Sequence, residues 1–166
     1  AQVLWMRAHD VPKSEALKNI KGEELNKRRE QWLQWHDQHT GGIMGLCPLT
    51  YNCPMRFTMT VDPKRGICKQ TRCHMIGWEL HERDYEKVMG SSLPEIILER
   101  LPKKLFVKVD GAEMKQHHNL EPQVFAVAPR RASWALDKNK TMWVTRTGFP
   151  LVPDFASTVH GVTGRT

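Results

Sequence analysis

Four cysteines, two groups of histidines and a C-terminal tail ending in Thr, His and Gly carry the chemical potential of this sequence. Cys47 and Cys53 stand six positions apart, and Cys68 and Cys73 five. Structural zinc sites pair their ligands about two to four residues apart. Cys73-His74 also falls in a run that reads as a strand, where neighbours point to opposite faces. The spacing therefore favours four buried or half-buried thiols over a zinc knuckle. His36, Asp37 and His39 could form a ligand cluster, or a general base with an orienting carboxylate. They stand where the first helix should end, just before Gly41-Gly42, and histidines there complement the helix dipole. The capping role is the expectation. His117-His118 reads as a solvated loop pair.

Some chemistry is missing. No Gly-rich loop ends in Gly-Lys-Ser/Thr, the arrangement whose backbone N–H groups cradle phosphates while the Lys reaches the outer oxygens. The chain is therefore not a self-sufficient P-loop enzyme. Neither Gly-x-Ser-x-Gly nor His-Glu-x-x-His occurs. In the tail, a strand over Phe155 to Val159 would deliver Thr158 and His160 to its C-terminal end, ahead of Gly161 and Gly164. Hydroxyls and backbone N–H groups at such a place suit phosphate contact. An ordinary buried strand running into a turn accounts for the same residues.

The charge balance points the same way. The 166 residues carry 25 Lys and Arg against 18 Asp and Glu, a net charge of +7. A basic excess suits a polyanion, usually nucleic acid, although a solvated basic surface has the same composition. Hydrophobic residues make up 40%, enough for a thin core. No run approaches the roughly 18 apolar residues of a membrane span, and the first residues do not form a secretory signal. Both ends read as cut from something longer. Four cysteines in a chain of this kind favour a reduced, intracellular setting, the nucleus among its compartments.

The elements that position these residues follow from periodicity. Residues 13 to 38 read as a charged helix broken near Gly22, with Ser14 as its cap and Leu17, Ile20, Leu25, Trp32 and Trp35 as its apolar stripe. Residues 40 to 54 form a loop. Met55, Phe57, Met59 and Val61 then alternate with Arg56, Thr58 and Thr60, which predicts a half-buried strand. Asp62-Pro63-Lys64-Arg65-Gly66 has turn chemistry, and a second strand from Cys73 to Leu80 completes a hairpin with a basic tip. Ser92-Leu93-Pro94-Glu95 resembles a capping box and predicts a helix up to Pro102. Short strands are expected at Leu105–Val109, Gln123–Val127, Ser133–Leu136 and Met142–Thr145, in a small barrel or curled sheet.

The tail resembles the helicase motif of the PIF/RecD-type superfamily 1 DNA helicases. That motif runs approximately Arg-x-x-hydroxyl-or-apolar-Pro-Leu, then a strand ending Ser/Thr-apolar-His-Lys-Ser-Gln-Gly-x-Thr. Arg146, Pro150, Leu151, Ala156, Thr158, His160, Gly164 and Thr166 match it. Thr60-Val61-Asp62, Gly66 and Lys69-Gln70-Thr71 resemble the same family's upstream hairpin. Gly161-Val162-Thr163 stand where the family has Lys-Ser-Gln, and Lys69-Gln70-Thr71 where it has Asn-Gly-Thr.

The resemblance implies a fragment of an ATP-dependent, 5′-to-3′ DNA helicase, from its second motor domain. The expected fold is α+β: a helical segment over 1–44, a β-hairpin and small SH3-type barrel over 45–145, and from 146 a strand of a partial RecA-like domain. Thr158, His160 and Gly164 would contact nucleic acid, with Arg56, Lys64 and Arg65 as electrostatic help. No catalytic or metal-binding residue is expected in this chain. ATP and Mg would bind mostly outside it, and its partners would be single-stranded DNA and the rest of the motor, with no membrane. Two other classes fit the composition: a non-catalytic basic nucleic-acid-binding module and a structural interaction domain.

Overall fold

A computed structural model describes residues 2–109 and 123–154. The architecture is mixed α+β and mostly strand. In chain order come β1 (Val3–Arg7), β2 (His9–Pro12), α1 (Glu15–Lys18), α2 (Gly22–Trp32), β3 (Leu46–Leu49), β4 (Pro54–Phe57) and β5 (Arg72–Glu79). Then follow α3 (Glu82–Met89), β6 (Glu95–Ile97), β7 (Lys104–Val109), β8 (Val124–Val127), β9 (Arg130–Ala135), β10 (Trp143–Gly148) and β11 (Leu151–Pro153). Short 3-10 turns cover Asp37–His39 and Pro63–Arg65.

The strands form three sheets, ordered β3-β1-β6, β2-β10-β9 and β11-β4-β5-β7-β8. Among the described residues no sheet closes, so the small SH3-type barrel expected from the sequence is not formed. The strands expected to build it are shared out instead. β7 and β8 extend the hairpin sheet, while β9 and β10 pair with the N-terminal β2. Closure needs the strands of the barrel to share one sheet, and here pairing to distant strands takes them apart.

The predicted hairpin is present. β4 and β5 pair antiparallel, with Met55 opposite Cys73, but β4 ends at Phe57 rather than at Val61. Between Met75 and Gly77 the pairing with β7 shifts by one residue. Cys73 and Met75 are buried before this bulge, and Trp78 and Leu80 pack on the core after it. An extra residue in a strand switches which face each side chain takes.

Two hydrophobic clusters hold the sheets together. The larger gathers Leu4, Leu49, Phe57, Met75, Leu105 and Phe149, among others, between the first and third sheets. The smaller joins Leu17 and Trp32 of the helices to Trp134 and Val144 of β9 and β10. Trp134 meets Trp32 edge-on, with ring centroids 5.8 Å apart. Beside this cluster lies a buried ion pair. Arg146 Nε donates to Asp10 Oδ1 at 2.7 Å and Nη2 to Oδ2 at 2.8 Å. Two further guanidinium N–H groups reach the carbonyls of Trp32 at 3.0 Å and Ile43 at 3.1 Å.

Several local expectations change. The first 12 residues carry strands, so the N-terminal segment is not helical throughout. Ser14 stands at the start of α1, but its hydroxyl donates to Thr141 O at 3.1 Å and accepts from Trp143 N at 2.8 Å. It ties α1 to β10 rather than capping. The predicted helix after Ser92 is β6, running parallel to β1. His36 is the N-cap of its own 3-10 turn, its Nδ1 accepting from Gln38 N at 3.1 Å. The group at 36–39 thus lies past the end of α2 and does not cap it. The predicted strand from Phe155 to Val159 and the pair His117-His118 lie outside the described residues.

Candidate nucleic-acid interface

The β4–β5 hairpin concentrates positive charge. Between residues 54 and 72 stand Arg56, Lys64, Arg65, Lys69 and Arg72, against the single acid Asp62. The tip is built by its own sequence. Asp62 Oδ1 accepts from Arg65 N at 3.3 Å, Pro63 opens the 3-10 turn, and Gly66 closes it at φ +79°. That φ is open to glycine at little steric cost. The turn leaves Lys64 exposed and Arg65 half-buried. Arg65 pairs with Asp62 at 3.5 Å and lies 6.0 Å from the centre of the Phe125 ring.

The register puts a second cation beside the first. Arg56 on β4 faces Arg72 on β5 directly. Like charges across a strand pair repel, so a carboxylate between them is stabilising. Asp154 supplies it. Its Oδ1 lies 3.6 Å from Arg56 Nε and its Oδ2 3.4 Å from Arg72 Nε. Asp154 reaches this place because β11 pairs with β4, setting Val152 opposite Arg56. Arg56 Nη1 also donates to Gln70 Oε1 at 2.8 Å. Two arginines against one carboxylate leave a local positive excess. The side chain of Arg72 is largely in solvent, whereas that of Asp154 is nearly covered.

Arg56 joins two recesses. One, of about 490 Å³, is lined by His36, Asp37, Gly42, Thr58, Lys69 and Gln70 together with Arg56. The other, of about 890 Å³, includes Trp5, Trp35, Leu46 and Pro48 and again Arg56. Lys64 and Arg65 line neither, so among the predicted contacts the described fold sets Arg56 apart from the tip pair. Thr158, His160 and Gly164 lie outside the described residues.

Sequence reasoning missed Arg72, Lys69 and Asp154. The signal for Arg72 was available: once Met55 is paired with Cys73, Arg56 and Arg72 must face each other. Asp154 had no local signal, because its partners are about a hundred positions upstream.

The cysteines are dispersed in their surroundings. Cys47 and Cys73 are buried, Cys53 is half-buried and Cys68 exposed. Burial, and then the neighbouring Cys53, pushes the Cys47 thiol from an ordinary 9.0 up to about 12. A thiol held protonated is a poor nucleophile and a poor metal ligand. Among the described residues no three His, Cys, Asp or Glu side chains are grouped to hold a metal. No described helix is long and apolar enough to cross a membrane.

No family model matches this sequence, and no curated protein does. Solved structures do. The chain is similar to the Pif1 helicase of Candida albicans, at 15% identity and a TM-score of 0.47, over 91% of this chain and 28% of that one. It is similar to unliganded Pif1 from Bacteroides sp., at 10% identity and a TM-score of 0.41, over 92% and 24%. It is also similar to a structure titled for DNA unwinding at forked dsDNA by two coordinating Pif1 helicases, at 9% identity and a TM-score of 0.40. That match covers 92% of this chain and 22% of the other. The chain thus spans about a quarter of the length of the structures it matches.

Proposed function

We propose that this chain is part of an ATP-dependent DNA helicase and that its own share of the work is to grip single-stranded DNA. The observation that supports this most is the position of Asp154. β11 ends beside Arg56 and Arg72, and the helicase-like tail with Thr158, His160 and Gly164 follows directly in sequence. The tail therefore departs from a strand pair that sets two arginines face to face. Hydroxyl, imidazole and backbone N–H groups of the tail would hold phosphate oxygens. Arg56 and Arg72 would add attraction along the same strand. Lys64 and Arg65 would act from the hairpin tip as longer-range charge.

ATP does not fit this chain alone. The sequence has no Gly-Lys-Ser/Thr loop to surround its phosphates. In this reading ATP and Mg are held mostly by other parts of the motor. They would supply the driving energy, while these residues bind and position the strand. Unwinding in the 5′-to-3′ direction and a place in DNA repair and recombination belong to the same proposal and rest on the sequence motif.

The test is a fluorescence-anisotropy titration with a labelled single-stranded oligonucleotide, on the unaltered chain and on His160→Ala. We expect binding to weaken in the variant while its melting curve stays unchanged. Undiminished affinity in a folded His160→Ala chain would contradict a role for the tail.

A further inference from the structure

The outer face of the first sheet carries an apolar patch, flanked by Arg7 and Glu95, where a solvent-facing sheet is normally polar. Leu4, Met6, Cys47 and Leu49 point into the core. By the two-residue period of a strand, Trp5, Leu46 and Pro48 share the opposite, half-buried face, with Trp5 directly across from Pro48. These residues floor the 890 Å³ recess, and the segment 33–38 walls it. From that wall Trp35 stands 37% exposed, with its ring centre 5.2 Å from that of Trp134. Trp134 is buried and fixes Trp35 from behind. The recess and the smaller cleft share His36, Asp37, Gln38 and Arg56, so the two adjoin. One end of the groove is aromatic, and the other carries Arg56 and Lys69.

We infer that this groove is a base-stacking track for single-stranded nucleic acid, with Trp5 and Trp35 meeting nucleobase faces and Arg56 and Lys69 meeting phosphates. The inference rests on the single-strand reading above and adds a subsite to it. Charge complementarity selects the occupant. Among the described residues Asp37 is the one carboxylate lining the groove, against Arg56 and Lys69, and Asp154 behind it is shared between Arg56 and Arg72. The cations at the mouth therefore favour an anionic ligand. An apolar floor in series with cations matches a strand whose flat bases and charged backbone lie side by side. A duplex keeps its base faces stacked and could not use the tryptophans.

The experiment compares a short oligothymidylate with an abasic phosphodiester of equal length on the full 166-residue chain, by anisotropy. Base stacking on an aromatic side chain is worth about 1–3 kcal/mol per base, and about 1.4 kcal/mol is tenfold. The oligothymidylate should therefore bind about tenfold or more tighter. Trp5→Thr and Trp35→Gln should each remove most of that preference and leave binding to the abasic backbone as it was. Trp35 packs on Trp134, so circular dichroism checks each fold, and Trp5→Thr decides alone if Trp35→Gln unfolds. Equal affinity for the two oligomers, or an unchanged preference in Trp5→Thr, would overturn the track and leave the cationic grip standing. No binding to either oligomer would overturn both. Self-association of the chain that Trp5→Thr abolishes and oligothymidylate does not compete with would assign the groove to a second copy instead.

Discussion

Asp10 and Arg146 stand 136 positions apart and meet in a fully buried, two-bonded pair. Arg146 also lies 5.3 Å from the centre of the Trp134 ring. Four of the five guanidinium N–H groups thereby have acceptors, and such bonding is the condition for burying the charge. Removing one partner leaves the other charge stranded, at a cost of about 3–5 kcal/mol. Asp10→Ala should lower the free energy of unfolding by about that much in a urea titration. Replacing both residues by Leu and Met should cost less than the single change. Arg146 was visible in the sequence only as a motif match; its partner could not be seen, because nothing near Asp10 marks it as buried. Cys47 gives a second prediction at this scale. Its thiol keeps its proton to about pH 12 in the folded chain, against 9.0 unfolded. A raised value means the unfolded chain loses its proton first, so this contribution is full below pH 9 and fades as pH rises toward 12. Stability measured across that window should fall less steeply in Cys47→Ala, and a slope unchanged from the parent would contradict the assignment.

β6 shows where local pattern and tertiary demand part company. Ser92-Leu93-Pro94-Glu95 has the letters of a capping box, yet Ile96 and Leu98 are buried while Ile97 is 53% exposed. That is the period of a strand. β1 had a free edge, and backbone bonds claimed the segment: Val3 N donates to Pro94 O and Leu98 N to Trp5 O, each at 2.9 Å. An unpaired edge of this kind outweighs a three-residue cap signal. α3 was the opposite case. Glu82 and Asp84 in its first turn and Gly90 after its end are helix signals the sequence did display, and they went unused. Asp84 does more than start a helix. It is buried, and its carboxylate accepts from Glu99 N at 2.9 Å and Arg100 N at 3.0 Å. It thus holds the turn between β6 and β7. Asp84→Ala would leave two backbone donors without their partner, and we expect a loss of about 3 kcal/mol, read from chemical denaturation. A change below about 1 kcal/mol would show that water replaces the carboxylate freely. The β4–β5 hairpin and its tip, by contrast, were legible, because alternation and turn chemistry are both local, although β4 stops at Phe57.

Over the whole molecule, strands that are close in sequence are divided among three sheets. The mixed α+β class was legible from the change of period along the chain. The partition was not, because it depends on β2 meeting β10 and β11 meeting β4, pairings about a hundred residues or more apart. The same long-range pairing assembles the candidate interface, since it sets Asp154 between Arg56 and Arg72. The resemblance of the tail gave the proposal its direction, and register sets two of the cations it invokes face to face.

The central claim is that this cationic face grips a single strand through its phosphates. The most direct measurement is the affinity for a labelled single-stranded oligonucleotide as a function of salt. If about three phosphates are neutralised, the logarithm of affinity should fall against the logarithm of salt with a slope of about −2. In the chain carrying Arg56→Ala, Lys64→Ala and Arg65→Ala together, affinity should drop and the slope should become shallower, with Lys69 and Arg72 left to carry the rest. An affinity that does not change with salt, or a slope left unchanged by the triple replacement in a folded chain, would contradict the account.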